Sequence, residues 1–219
     1  MRLKIDLHVH TIYSVDSLIT PEEVAYYAKK RGLDGVAVTD HDRLDGALRM
    51  SKEKDFLILP GMEITSSDGH ILALNIQDPV AKGLTAEETV DRIHSAGGIT
   101  IACHPAAMFK GSLGNHTTSI FDAVEVINAS AIPFRHSVKR GEQIASRLKI
   151  ARVAGSDAHY GPEIGYAYTL VETEPNADDI VNAIRRNQCQ PFGKAIPLTV
   201  RLKREISVLR RRFRLGGET

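Results

Sequence analysis

Short apolar runs separated by turn residues recur along the chain, and segments with helical spacing of apolar positions fill most of the gaps between them. The runs predict strands at residues 3–9, 35–39, 57–64, 70–76, 99–103, 123–127, 152–154 and 167–172. Most are short and rich in Val, Ile and Leu, as strands buried on both faces of a parallel sheet are. The helices between them have legible ends. Thr20-Pro21-Glu22-Glu23 supplies an N-cap, a proline in the first turn and two acids facing the helix dipole, and Thr85-Ala86-Glu87-Glu88 is a capping box. Lys29-Lys30-Arg31-Gly32 and His94-Ser95-Ala96-Gly97-Gly98 place basic residues and then glycine at C-terminal ends, with His94 expected to face the dipole. Seven or eight such units in roughly 200 residues predict an α/β barrel of the TIM kind over an open doubly wound sheet.

One segment departs from this pattern. In residues 201–214, Leu202, Ile206, Leu209 and Phe213 recur at helical spacing among seven Lys and Arg, including Arg210, Arg211, Arg212 and Arg214. The expected organisation is therefore a barrel over 1–200 and a basic amphipathic helix over 201–219. The stripe is expected to pack on the barrel or on a second subunit, which leaves an oligomer open. A grip on nucleic-acid phosphates or an acidic membrane surface is the alternative.

Composition sharpens this picture in three ways. Hydrophobic residues make up 42% of the chain and charged residues 25%, which excludes disorder and leaves material for one core. The formal net charge of +1 resolves into −4 for residues 1–200 and +5 for 201–219, so the near-neutral total conceals an acidic body and a basic tail. No apolar run approaches a membrane span, and the N-terminus lacks the apolar core of a signal peptide, so a cytoplasmic protein is expected. The two cysteines, Cys103 and Cys189, are too few for a disulfide scaffold or a thiolate zinc site, and Cys103 is expected to alternate away from its neighbour into the core. Neither a dinucleotide-binding glycine motif nor a P-loop is present.

The nine histidines carry the chemistry. Five predicted strands finish in metal-type side chains: Asp6-Leu7-His8-Val9-His10, Thr39-Asp40-His41-Asp42, Gly61-Met62-Glu63, His104-Pro105 and Gly155-Ser156-Asp157-Ala158-His159. In a parallel barrel those ends form one face, where active sites are built. His8 and His10 alternate to the same side and can grip one ion together. Asp40 or Asp42 is expected to cap the following helix. Five independent surface coincidences at equivalent places are a poor alternative, because unpaired carboxylates and imidazoles there are costly. Imidazole and carboxylate donors without cysteine favour zinc, manganese or iron, and their number exceeds one tetrahedral shell, so two or three divalent ions are implied.

These motifs, together with Thr11, Tyr13-Ser14 and Asp16, resemble the polymerase and histidinol phosphatase (PHP) family over about residues 1–175. The resemblance implies a distorted TIM-like (β/α)7 barrel with a di- or trinuclear metal centre that hydrolyses phosphoesters through a metal-activated hydroxide. By position, His8, His10, Glu63 and Asp157 would hold one ion, Asp16, His41 and His159 another, and Glu63 with His104 a third, whose remaining histidine is not assigned. The implied substrate is a small phosphorylated compound, a nucleotide or short oligonucleotide before histidinol phosphate. A non-catalytic PHP-fold binding module is the alternative from another class. Candidate proton donors to the leaving group are His159, His104 and His70. Arg43, Lys110, Arg135 and His136 follow strand ends and are candidate phosphate ligands, Arg135 first among them. The 110–118 stretch, rich in Gly, Ser, Asn and Thr, reads as a surface loop, with closure over substrate as the alternative.

Overall fold

The structure is a computed structural model that describes residues 1–52, 55–108 and 111–215, without the side chains of 212–215. Nine strands form one sheet: β1 (Arg2–Val9), β2 (Gly35–Val38), β3 (Leu57–Thr65), β4 (His70–Leu74), β5 (Ile99–Ala102), β6 (Ala123–Asn128), β7 (Ala151–Gly155), β8 (Ala167–Glu172) and β9 (Cys189–Gly193), in the spatial order β7-β6-β5-β4-β3-β2-β1-β8-β9. Pairing is parallel for β1–β2, β2–β3, β5–β6 and β6–β7. It is antiparallel on both sides of β4 and of β8. The segment after β7 reaches back to β1 through a parallel bridge between Val9 and Ala158, with Asp157 N donating to His8 O at 2.8 Å and His10 N to Ala158 O at 3.0 Å. The sheet thus curls into a nearly closed barrel, and the two reversed strands are its distortion.

All eight expected strands form, and β9 is an addition. Its Cys-Gln-Pro-Phe-Gly sequence has no apolar run, and Pro191 suits it only to the edge it occupies beside β8. The helices are α1 (Pro21–Lys30), α2 (Asp45–Met50), α3 (Ala86–Ser95), α4 (Phe134–Leu148), α5 (Ala177–Arg185) and α6 (Leu198–Leu215). Thr20 with Glu23 and Thr85 with Glu88 make the capping boxes read from sequence. Neither Asp40 nor Asp42 caps α2, whose N-cap is Leu44 with no side-chain bond. Both carboxylates have nearer donors: Asp40 accepts from Thr11 N and Oγ1 at 2.6 and 2.8 Å, and Asp42 from Thr65 N at 2.8 Å. His94, at the end of α3, pairs with Asp122 at 2.8 Å.

Apolar side chains form two main layers. Leu3, Ile5, Leu7, Leu59, Leu72, Ile101 and Val153 cluster with Ile180 and Ile184 of α5, while Val36, Val38, Met62 and Ile64 pack with Val24 and Ala28 of α1, Ala47 of α2 and Val90 of α3. α6 does not bury its stripe. Leu202, Ile206 and Leu209 are 63%, 49% and 51% exposed, whereas Arg201 donates to Ala129 O, Ser130 O and Ile196 O, and Arg211 to Ser17 O. The barrel rim beneath the helix offers loop carbonyls, and guanidinium forks satisfy them where leucine cannot. The side chains of Arg212, Phe213 and Arg214 lie outside the described residues, as does Lys110. No helix among the described residues is long and apolar enough to cross a membrane.

Candidate metal centre

The strand ends bring all eight sequence-predicted ligands into one cluster. β1 delivers His8 and His10, both fully buried, with their Nε2 atoms 3.1 Å apart. Each Nε2 is 3.1 Å from Glu63 Oε2, and they lie 3.7 and 3.5 Å from Asp157 Oδ1. Two imidazole nitrogens at that distance repel unless a proton or a cation lies between them. A tetrahedral ion with donors at about 2.0–2.1 Å separates those donors by ~3.3 Å, so the spacing of these four side chains fits a divalent cation. Asp16 Oδ2 lies 3.1 Å from His159 Nε2 and 3.6 Å from His41 Nε2, and His10, His41 and His159 also converge to ligand spacing. This second cage is the solvent-facing one, with Asp16 48%, His41 26% and His159 12% exposed.

Glu63 joins the cages. Its Oε2 serves His8 and His10 and is 3.5 Å from His41 Nδ1, while its Oε1 is 2.7 Å from His70 Nδ1 and 3.0 Å from His104 Nε2. His70 therefore stands beside His104 at Glu63 Oε1, where the sequence left a histidine unassigned. It does so because β3 reverses into β4 within five residues, so that the first residue of β4 faces Glu63 across the hairpin. Cys103 corrects the expectation of alternation: its Sγ approaches Glu63 Oε1 at 3.5 Å, on the same side as His104. β5 ends at Ala102, and His104 adopts φ +32°, which breaks the two-residue period. Asp42 and Asp157, at φ +52° and +54°, share this left-handed geometry at strand ends, a strain typical of functional sites.

Burial alone would neutralise these groups, and their mutual proximity reverses that. Desolvation pushes Glu63 up, but His8 and hydrogen bonds from His10, His104 and His70 outweigh it and hold the carboxyl well below its usual range. Burial likewise raises Asp16, and bonds from His159 and His41 overturn it. His8 is disfavoured as a cation by burial yet is raised well above its ordinary value by Asp157, Glu125 and Glu63. The negative potential of the carboxylates favours positive charge at this spot, and a divalent cation would take the place of the imidazole protons there.

A supporting layer orients the donors, and here the sequence reading was incomplete. Glu125 of β6, 3% exposed, accepts from His8 Nδ1 at 3.0 Å, His104 N at 2.8 Å and Asn128 Nδ2 at 2.9 Å, and Asn128 also donates to Asp157 at 3.1 Å. Its signal was a lone carboxylate inside the apolar run Ala-Val-Glu-Val-Ile. Ser14 Oγ lies 3.3 Å from His10 Nδ1 and accepts from His41 N at 2.8 Å. Asp6 accepts from Ser156 N at 2.8 Å and Gly165 N at 2.9 Å, and burial raises its pKa to about 6. Glu163, fully buried, accepts from His159 N at 3.0 Å and faces Arg204 at 3.5 Å.

Of the predicted phosphate ligands, the three described ones, Arg43, Arg135 and His136, do not reach the cluster. Arg135 is exposed in the first turn of α4 with no contact to the cluster among the described residues, and Arg43 is bound by Asp45 at 2.8 Å. His136 lines a separate groove along α4 with Arg140 and Arg147. In the 111–118 loop, Gly114, Asn115, His116 and Thr118 are exposed, as expected of a surface loop, while Leu113 and Thr117 are buried and Gly111 O accepts from His70 N at 2.6 Å, which anchors the loop beside the site.

Comparisons with known proteins agree with this fold. A family model described as PHP-associated matches residues 135–189. An uncharacterized protein of Methanocaldococcus jannaschii is 37% identical over 141 residues, covering 58% of this chain and 82% of that protein. An error-prone DNA polymerase of Mycobacterium tuberculosis is 41% identical over 64 residues, 27% of this chain but 6% of the polymerase. Among solved structures, a two-domain protein of Bacteroides vulgatus containing a predicted PHP-like metal-dependent phosphoesterase superposes with a TM-score of 0.73 at 18% identity, over 89% of this chain and 65% of that one. An amidohydrolase of Chromobacterium violaceum with bound sulfate and no metal superposes with a TM-score of 0.61 at 18% identity, over 85% and 97%. With its strand-end histidines and carboxylates gathered at one rim of a distorted barrel, the chain belongs to the PHP family.

Proposed function

We propose that this chain is a metal-dependent phosphoesterase that hydrolyses a phosphate ester of a small molecule, with a nucleotide or short oligonucleotide as the favoured class. The observation that carries the reading is the position of Glu63, whose two oxygens face histidines on opposite sides, Oε2 toward His8 and His10 and Oε1 toward His70 and His104. Zinc, manganese or iron ions held across that carboxylate would polarise phosphoryl oxygens, activate water and neutralise charge as the ester bond breaks.

The residues divide this work by position. His8, His10 and Asp157 are buried and anchor the interior of the cluster, while Asp16, His41 and His159 line its open side, where the phosphate enters. Of the three candidate proton donors, His159 is the one that contacts Asp16 on the open side of the cluster, at 3.1 Å, so it is the favoured donor to the leaving alkoxide. His104 and His70 face Glu63 and are assigned as ligands first. Among the described residues no Ser or Cys in the cluster has an imidazole base placed to activate it: Ser14 Oγ accepts from His41 N, the His10 Nδ1 beside it carries the proton when Nε2 faces an ion, and burial pushes the Cys103 thiol well up. A covalent enzyme intermediate is therefore not part of the proposal.

The test is reconstitution with Zn²⁺, Mn²⁺ or Fe²⁺, metal analysis beside a His8→Ala variant, and a phosphate-release screen over nucleoside monophosphates and bisphosphates, short oligonucleotides and histidinol phosphate. Two or three ions per chain, reduced in the variant, and release from nucleotides are expected. Fewer than one ion in both proteins would overturn the enzyme reading in favour of a binding module, and release from histidinol phosphate alone would reassign the substrate.

A further inference from the structure

The solvent-facing cage is assembled from segments outside the strands. Asp16 stands on the turn after β1, beside a fully exposed Val15, and His159 on the segment after β7. These two segments are tied to each other. Leu18 N donates to His159 O at 2.9 Å, and Ser17 Oγ lies 3.0 Å from His10 O and 3.4 Å from His159 O. Each is also tied to α6. Arg211 donates to Ser17 O at 3.0 Å, one residue from Asp16. Arg204 faces Oε1 of the fully buried Glu163 at 3.5 Å, and Oε2 of the same carboxylate accepts from His159 N at 3.0 Å. Seven positions separate the two arginines, close to two helical turns, so they share one face of α6 about 10 Å apart along its axis. Arg201 fixes the start of the helix on the carbonyls of Ala129, Ser130 and Ile196. The buried cage takes its orienting bonds from elsewhere: Glu125 holds His8 and Asn128 holds Asp157, both from β6.

We propose that Arg204 and Arg211 are positioning residues for the outer ion: α6 straps the Asp16 and His159 segments together, so that occupancy of the Asp16–His41–His159 cage depends on the C-terminal helix and occupancy of the buried cage does not. An ion in the outer cage needs donors from separate segments within ligand distance at the same time. Segments free to drift apart would have to be ordered by the ion itself, and a strap that holds them beforehand removes that cost from binding. Arg204 acts through Glu163, whose buried charge it faces and whose other oxygen fixes the His159 backbone. Arg211 acts through the Ser17 carbonyl, and neither guanidinium has to touch the ion. The inference rests on the metal-dependent reading of the site and not on ester hydrolysis.

The experiment titrates the full chain with Zn²⁺ in competition with a fluorescent chelator, alongside metal analysis after dialysis. The native chain is expected to hold a tight and a weaker class of ion, and Asp16→Asn to remove the weaker one. Arg204→Gln and Arg211→Gln are each expected to weaken that class about tenfold and to leave the tight class within about threefold. Arg204→Lys, which keeps a charge opposite Glu163, is expected to recover part of the loss. Lys203→Gln removes the same charge from an exposed position of α6 and is expected to change neither class. In the Asp16→Asn background, adding R211Q is expected to have no further effect. Unchanged weak binding in R204Q and R211Q, equal weakening of both classes, or loss of tight binding when R211Q is added to D16N overturns the strap. R211Q, which removes one bond from an exposed side chain to a loop carbonyl, decides the matter if R204Q fails to fold. A native chain that holds no ion overturns the metal reading and the strap together. Ions that behave as expected in a chain that releases phosphate from no ester overturn the catalytic reading and leave the strap standing.

Discussion

Glu125→Gln isolates the positioning layer from the ligands. The carboxylate of Glu125 receives three donors, His8 Nδ1–H on Oε1 and the His104 amide and Asn128 Nδ2 on Oε2, at 3.0, 2.8 and 2.9 Å. An amide of the same shape has one acceptor oxygen and must point its NH₂ at one side. If the NH₂ faces His8, the imidazole has to accept at Nδ1 and carry its proton on Nε2, the atom that faces His10 and Glu63. That tautomer cannot donate a lone pair to an ion. If the NH₂ faces the other side, a buried backbone N–H of His104 loses its partner. Either arrangement costs about 1.5–3 kcal/mol as a lost charge-assisted bond. Loss of a partner of this kind costs roughly 10–100-fold in metal affinity. At about 2–4 °C per kcal/mol for a domain of this size, the melting temperature of E125Q is expected to fall by roughly 3–12 °C. The assay is a competition titration of the metal against a fluorescent chelator, with melting followed by circular dichroism. Thr169→Val is the control: it removes the buried Thr169 bonds to Ala154 N and O at 2.8 and 3.0 Å, away from the cluster, and should lower stability without the affinity loss. E125Q that binds its ions within about threefold of the native affinity would refute the orienting role argued from these distances.

Two further outcomes follow from packing. Gly155→Ala places a methyl group 2.4 Å from His8 Cβ and 2.8 Å from Glu125 Oε1, so overpacking of about 1–3 kcal/mol should appear as a lower melting temperature together with weakened metal binding. A normal metal titration would show that His8 can shift at no cost. Leu202→Ser with Ile206→Ser acts on side chains 63% and 49% exposed and should change monomer stability by no more than about 0.5 kcal/mol each. Light scattering at rising concentration then tests the stripe as a contact between copies: a larger native mass that the double variant loses places a second chain there, and equal masses exclude it.

Most of the fold and the first cages were legible because they depend on short-range patterns. Capping boxes at Thr20 and Thr85 are local bonds, and His8, His10, Asp157 and His159 share strand ends whose common rim follows from parallel pairing. What was missed depends on pairs distant in sequence. Glu125 meets His8 across 117 residues, and no local pattern separates a buried positioning carboxylate from an edge residue of a strand. His70 was ambiguous because a seven-unit repeat would have put it at the wrong end of its strand. The reversal of β4 against β3 turns that end toward the site. Cys103 is in the core as expected, but its Sγ also approaches Glu63, because strand alternation stops one residue before it.

α6 shows why periodicity finds a helix more reliably than the face it buries. Positions 202, 206 and 209 form the apolar stripe, and positions 201, 204 and 211 lie roughly 155° around the helix, on nearly the opposite face. The usual inference that the apolar face goes inward assumes an apolar surface to receive it. Here the receiving surface is the rim of a barrel at the ends of its strands, where the chain turns and leaves the carbonyls of Ser17, Ala129 and Ser130 without sheet partners. Those acceptors are satisfied by guanidiniums, and each such bond offsets a desolvation cost that a leucine would have left in place. The same geometry accounts for the charge split of the chain: a body of −4 carries its carboxylates to the cation-binding rim, and a tail of +5 lies across that rim with three of its arginines turned toward it. The described part of the basic segment is therefore part of the site's wall.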